Sequence, residues 1–366
     1  MEKSSQSVAV TENGTEHRWH YDLDPSLTTH SPNNPFSAQF LHPTSLVIAR
    51  KDPNSDEEFL WNSRDHRKNR HVKYTPNQDN KSRHGSSLLV GLGHMFRIEY
   101  WNVSWWVAMS FTLGSVVWVI NGFYSFLPFV DASVADSISA IGWSAWIGAT
   151  VFEFGSILGM LEAWNRGDTA NFGWGVQNAL GYDSSDAETS LGVNDAADSS
   201  SGSVPGKEEK SKPKRKWIWF STDPKYWHEM GFLAAFAQFW AATIFWISGF
   251  TALPSIQNTI MTETGVLDGV FWTPQVIGGT GFIISATFIM LETQKKWYIL
   301  NPMSLGWQVG VWNFIGAIGF MLCGALGYAA QVSTKASYQS SLCTFWGGWA
   351  FLIGSVLQWY EAVNSV

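Results

Sequence analysis

Four carboxylates of this 366-residue chain stand where a carboxylate is costly, and they are the residues best placed to do chemistry. Glu153 lies near the middle of a long apolar run, where an ionisable group costs several kcal/mol unless it is paired, protonated or open to water. That position points to a proton or cation site, with Asn121 and Gln238 as candidate neutral partners and Gln275 and Asn313 as further ones. The competing reading is a carboxyl satisfied by a structural hydrogen bond. Glu162, Glu292 and Glu361 each close an apolar run, and a carboxylate at a helix C-terminus opposes the helix dipole. Arg166 follows Glu162 and Lys296 follows Glu292 at i+4, where an ion pair can form, while no basic residue follows Glu361. Boundary ion pairs are the expected arrangement, and an inner ring of carboxylates attracting cations is the alternative.

Other chemistry is missing. All nine His lie outside the apolar runs, so neither haem ligation nor a His-metal site is expected within them. Cys323 and Cys343 are the only thiols, and their depths match poorly for a disulfide. No phosphate-binding loop, nucleophile elbow or zinc-protease motif occurs. The chain is therefore read as non-enzymatic, with no cofactor and no metal.

The elements that must position these residues are six apolar runs: Ser104 to Leu127, Ser139 to Leu161, Gly231 to Leu253, Val270 to Leu291, Val309 to Ala330 and Ser341 to Tyr360. Each has about the 20 residues a helix needs to cross a hydrocarbon core. With no water to bond the backbone, each must be a helix. Charged residues make up 14% of the chain, against about 25% in soluble domains, and almost all lie outside the runs. Of 23 Lys and Arg, 22 fall before the first run or in the second and fourth connections. Basic loops stay inside, so both termini are expected in the cytoplasm.

The fold class is thus all-α: an integral membrane protein with six transmembrane helices arranged as three parallel two-helix hairpins. Residues 1–98 read as a largely irregular cytoplasmic tail in which one strand-like run, Thr44 to Ile48, stands alone. Near 86–98, Leu88, Leu92, Met95 and Phe96 recur at helical spacing; this suits a helix on the membrane surface or a helix packed on the cytoplasmic loops. Hairpins follow at 99–165, 229–293 and 294–366. The loop 166–228 between the first two is of low complexity and reads as disordered. It ends in a basic patch, Lys210, Lys212, Lys214, Arg215 and Lys216, which serves as a topology signal and could also attract anionic lipid headgroups. The bilayer is the expected partner; headgroups or a cytoplasmic protein are further candidates, a homo-oligomer is left open, and nucleic acid is not expected.

Aligning the second, fourth and sixth runs on their terminal glutamates gives G-x-x-x-F-x-x-[GS]-[SA]-x-x-x-x-x-E-[AT]. The copies are Gly148, Phe152, Gly155 and Glu162; Gly278, Phe282, Ser285 and Glu292; and Gly347, Phe351, Gly354 and Glu361. The preceding runs share Asn121-Gly122, Ser248-Gly249 and Cys323-Gly324, with Trp118, Phe245 or Phe320 four residues before the Gly. Small residues on one face let helix backbones approach, so the pattern reads first as a packing device. Phe152-x-x-Gly155-Ser156 and Phe351-x-x-Gly354-Ser355 resemble the YrhK-like membrane domain, a hairpin with Phe, Gly and Ser patterned along its helices; that resemblance implies membrane residence alone. The three-hairpin outline also resembles the mitochondrial carrier family. Pro128-Phe-Val-Asp131 keeps only the acidic part of that family's signature, however, and Pro254-Ser-Ile-Gln257 keeps neither charge. A membrane or scaffold component is the expected function, and an ion or small-solute transporter using Glu153 is the alternative.

Overall fold

The computed structural model describes residues 7–12, 15–20, 27–33, 35, 40–50, 58–68, 72–74, 88–131, 133–135, 137–179 and 217–364. Among the described residues six helices are long and apolar enough to span a membrane, and the protein is a multi-pass membrane protein. The first two are α3 (Val103–Phe126) and α4 (Ile138–Trp164), preceded by α1 (Ser63–Arg67) and α2 (Leu88–His94) and followed by α5 (Phe172–Ala179). The third span is α6 (Met230–Thr251), and short α7 (Pro254–Ile260) leads to the fourth. That span joins α8 (Thr264–Leu267) through a π turn at Asp268–Trp272 to α9 (Thr273–Glu292). The last two are α10 (Leu305–Gly327) and α11 (Thr334–Val363).

Local chemistry sets the ends. The Asn102 side chain accepts from the Ser104 amide at 3.0 Å, Ser137 Oγ from Ala140 at 3.2 Å and Ser333 Oγ from Ala336 at 3.3 Å, which caps three spans. Pro128 tightens the end of α3 into a 3₁₀ turn.

The spans form a ring. Each packs on the one before and the one after, and α11 returns to α3. Leu113, Ile120, Phe154, Ile247, Ile277 and Ile353 are exposed around the outside, which gives an apolar belt. Two faces result: the glutamate face, where Glu162, Glu292 and Glu361 lie, and the opposite far face.

The N-terminal region departs from the expectation of a largely irregular tail. Strands β1 (Ser7–Glu12) and β2 (Thr15–His20) pair, and β3 (Leu27–Asn33), β4 (Ser45–Arg50), β5 (Glu58–Asn62) and β6 (Val72–Tyr74) form an antiparallel sheet in that order. The run Thr44 to Ile48 is therefore not alone: Ile48 faces Thr29 on one side and Phe59 on the other. The region is also fastened to the ring's loops. His42 N donates to His228 O at 2.8 Å, Gly167 N to His66 O at 3.0 Å and Trp297 N to Pro35 O at 3.1 Å. Helix α2 is shorter than the expected 86–98. It lies against the end of α11, where Asn364 Nδ2 donates to Gly91 O at 3.0 Å, while Leu89, Leu92 and Phe96 stay exposed.

Candidate functional site

Six aromatic side chains fill the middle of the ring. Trp118, Phe245 and Phe320 form one triangle, with ring centroids 5.6, 4.7 and 5.6 Å apart. Phe152, Phe282 and Phe351 form a second, at 6.4, 5.5 and 6.2 Å. Within each hairpin the two layers touch, at 6.5, 5.9 and 5.3 Å, so the six rings make a triangular prism. Most meet edge to face, an arrangement worth about 0.5–1.5 kcal/mol per pair beyond burial. The motif glycines seat these rings. A Cβ at Gly148 would lie 3.0 Å from Trp118, one at Gly278 would lie 2.7 Å from Phe245, and one at Gly347 would lie 3.0 Å from Phe320. Gly155 and Gly354 similarly receive Ser110 and Asn313, while Ser285 Oγ donates to Ala234 O at 2.8 Å. At each of these positions a neighbouring helix lies within reach of the small residue.

Towards the glutamate face the three motif carboxylates are buried, with exposures of 6, 1 and 5% for Glu162, Glu292 and Glu361. Their partners are not the i+4 residues. Helix α1, whose N-cap Asn62 accepts from Arg64 N at 2.8 Å, presents Arg64, Arg67 and Lys68 from outside the ring. Arg64 Nε and Nη2 each donate to Glu361 at 2.7 Å, and Lys68 Nζ joins the same carboxylate. Arg67 donates twice to Glu292, at 3.1 and 3.0 Å, and Ser63 Oγ adds a bond at 3.1 Å. Burial works against the charge on Arg64, but Glu361 and then Glu292 and Glu162 outweigh it and raise its pKa.

Small residues on the odd spans admit these guanidinium groups. A Cβ at Gly231 would collide with Arg67 Nη1, and one at Gly306 would lie 2.6 Å from Arg64 Nε. The matching residue of the first span is Ser104, and its hydroxyl takes the cation's place by donating to Glu162 Oε1 at 2.6 Å. So the expected boundary pairs give way to a buried ring of carboxylates that is already neutralised. Arg166 pairs instead with Glu229, whose Oε1 also lies 3.0 Å from His42 Nδ1. Burial opposes the Glu229 charge, yet Arg166 and His42 hold its pKa down at about 2.

On the other side of the prism a cavity of about 560 Å³ reaches from Trp118 and Phe245 to the far-face connections, where Phe129 and Met261 are exposed. Asn121, Ser248 and Cys323, the three residues that precede the matched glycines, line it together. Asn121 Nδ2 donates to Ile141 O at 2.8 Å and Ser144 Oγ at 2.9 Å. Cys323 Sγ accepts from Thr344 Oγ1 at 3.0 Å and Gln275 Nε2 at 3.2 Å. Both cysteines are buried free thiols. A smaller space of about 60 Å³ lies between the prism and α1, lined by Gln238, Asn313 and Glu162 among others.

Glu153, Asn121 and Gln238 do not share a site. Asn121 lines the vestibule, and Gln238 accepts from Ser285 at 2.8 Å beneath the prism. Glu153 lies off the axis, half-buried on the seam between α4 and α6; Thr243 Oγ1 is 3.0 Å from Oε1 and Ser156 Oγ is 3.4 Å from Oε2. The basic patch Lys210, Lys212, Lys214, Arg215 and Lys216 lies outside the described residues, as does the low-complexity centre of its loop. Sequence reasoning misses Arg64, Arg67, Lys68 and Ser104. The available signal is three cations at helical spacing, in Ser63-Arg-Asp-His-Arg-Lys68, matching three terminal glutamates in number. No protein-family model matches this chain, and no curated protein or solved structure shows significant similarity to it.

Proposed function

We propose that the protein is a gated small-solute transporter whose path is the ring axis rather than Glu153. The observation that carries this reading is the order of features along one axis: vestibule, aromatic barrier, small inner space and charged plug. Solute enters from the far face, and α1 closes the glutamate face, which is cytoplasmic. The basic-residue distribution supports that sidedness. The aromatic and carboxylate triads, drawn from matching offsets in three hairpins, support an approximate threefold axis of parallel repeats. A route between inverted or parallel repeats is where transporters place their sites. Exposed Leu89, Leu92 and Phe96 support contact of α2 with the bilayer surface.

A second reading, a static membrane scaffold, is favoured by the prism itself, because packed rings and carboxylates held by side chains of α1 and Ser104 describe a closed state. Uptake of uncharged solutes into liposomes separates the two. Arg64→Gln with Arg67→Gln loosens the plug, and Phe282→Ala opens the prism. Uptake that rises in both variants, while the purified proteins stay folded, supports transport. Folded variants no different from protein-free liposomes leave the scaffold reading in its place.

A further inference from the structure

Resting on the reading of the vestibule as the solute entrance, we infer that it is a binding site for an uncharged, ring-bearing molecule that donates N–H or O–H groups to Gln275 Oε1 and Gln257 Oε1. Three features of the lining fix the class. First, among the described residues it contains no Asp, Glu, Lys, Arg or His. A charged ligand would lose its hydration with no countercharge in exchange, a cost of several kcal/mol. Secondly, its unused buried polar ends are two acceptors, Gln275 Oε1 and Gln257 Oε1, beside two indole N–H donors, Trp118 Nε1 and Trp272 Nε1. Gln275 is 6% exposed, and its Nε2 is committed to Cys323 Sγ at 3.2 Å, which orients the amide. No protein donor among the described residues reaches its Oε1, and the same is true of Gln257 Oε1. Asn121, by contrast, has its amide donor engaged by Ile141 and Ser144. A buried polar group left alone costs about 1–3 kcal/mol, so a ligand that brings N–H or O–H donors to the two glutamines, together with an acceptor for an indole N–H, as a urea does, is favoured over one that brings acceptors alone. Thirdly, the floor and wall are aromatic, with Trp118 and Phe245 below and Phe271 and Trp272 beside. The volume of about 560 Å³ suits an organic molecule rather than an ion.

The test uses the full chain in nanodiscs of zwitterionic lipid and three probes of similar size: phenylurea, benzoate and benzylammonium. Empty nanodiscs correct for partition into lipid. Saturable binding of phenylurea, at least about tenfold tighter than either ion, is expected, and Gln275→Met should weaken it about fivefold. Equal binding of all three probes, or phenylurea binding unchanged in both Gln275→Met and Gln257→Met, overturns the inference. The second variant keeps the readout should the first lower the unliganded Tm. Failure of the transport reading looks different: phenylurea binds with Gln275 dependence but does not enter liposomes. Uptake that ignores both glutamines would retain transport and remove the ligand class.

Discussion

At the glutamate face two of three buried carboxylates, Glu292 and Glu361, pair with three cations brought by a helix from outside the ring, whereas the far-face vestibule has no charged side chain among the described residues and keeps amide oxygens without a protein donor. The prism stands between them. Both ends hold polar groups out of water, but the glutamate face settles its three carboxylates within the chain, while the vestibule leaves two amide oxygens without a protein donor. On the proposed reading, satisfied charge makes the lock and unsatisfied neutral polarity the receptor. A second contrast lies within the lock: Glu292 and Glu361 each take an arginine over a glycine, and Glu162 takes a serine hydroxyl.

The most damaging change to this contrast is removal of one partner of a buried pair. Arg67→Ala leaves Glu292 with Ser63 and a distant Arg64, and is expected to cost about 3–5 kcal/mol in thermal unfolding. Adding Glu292→Gln should recover much of that loss; no recovery would mean that Arg67 acts through packing alone. The next largest effect is acid sensitivity. Glu229 is held at about 2, below its usual 4.5, so its pairing stabilises the fold fully above pH 4.5. That contribution, about 3 kcal/mol, is lost as pH falls from about 4.5 through about 2. In Glu229→Gln the acid-dependent part of the unfolding curve should flatten over that window, and an unchanged curve would reject the assignment. Ser104→Ala removes one hydroxyl bond to a carboxylate and is expected to cost about 2 kcal/mol, clearly less than Arg67→Ala. A cost equal to that of Arg67→Ala would erase the distinction between the serine and arginine sites. Smallest of all, Glu153→Gln should change stability by less than about 1 kcal/mol and leave solute uptake intact, because Glu153 lies off the axis. Abolished uptake in a folded Glu153→Gln protein would restore the carboxylate route that its depth in the membrane first suggests.

What is legible in the sequence follows how local each cause is. Span positions depend on runs of about 20 residues, so all six helices appear where expected, most ends within about four residues, although the fourth and sixth spans begin earlier, at Thr264 and Thr334. The repeat motif is likewise periodic along single helices, and Phe152, Phe282 and Phe351 could be matched before their meeting was known. The plug depends on something else. Arg64 and Glu361 are 297 residues apart, and no periodicity connects them; the i+4 neighbours Arg166 and Lys296 offer a local answer that the fold does not use. Strand β4 escaped for a related reason. Its partners Thr29 and Phe59 are separated from it by polar, Pro-containing sequence that conceals the pairing. The vestibule was half legible: Asn121, Ser248 and Cys323 could be aligned as short polar residues, but their convergence on one cavity is a property of ring closure.

The central claim is that a single aromatic barrier divides the axis, and thiol accessibility tests it most directly. In a background of Cys323→Ser and Cys343→Ala, a cysteine is placed above the prism by Ser248→Cys or below it by Gln238→Cys. A membrane-impermeant maleimide is then added to the far face of oriented proteoliposomes. The account predicts rapid labelling of Ser248→Cys, protection of Gln238→Cys, and labelling of Gln238→Cys once Phe282→Ala opens the prism. Labelling of Gln238→Cys as fast as Ser248→Cys with all six rings in place would contradict it.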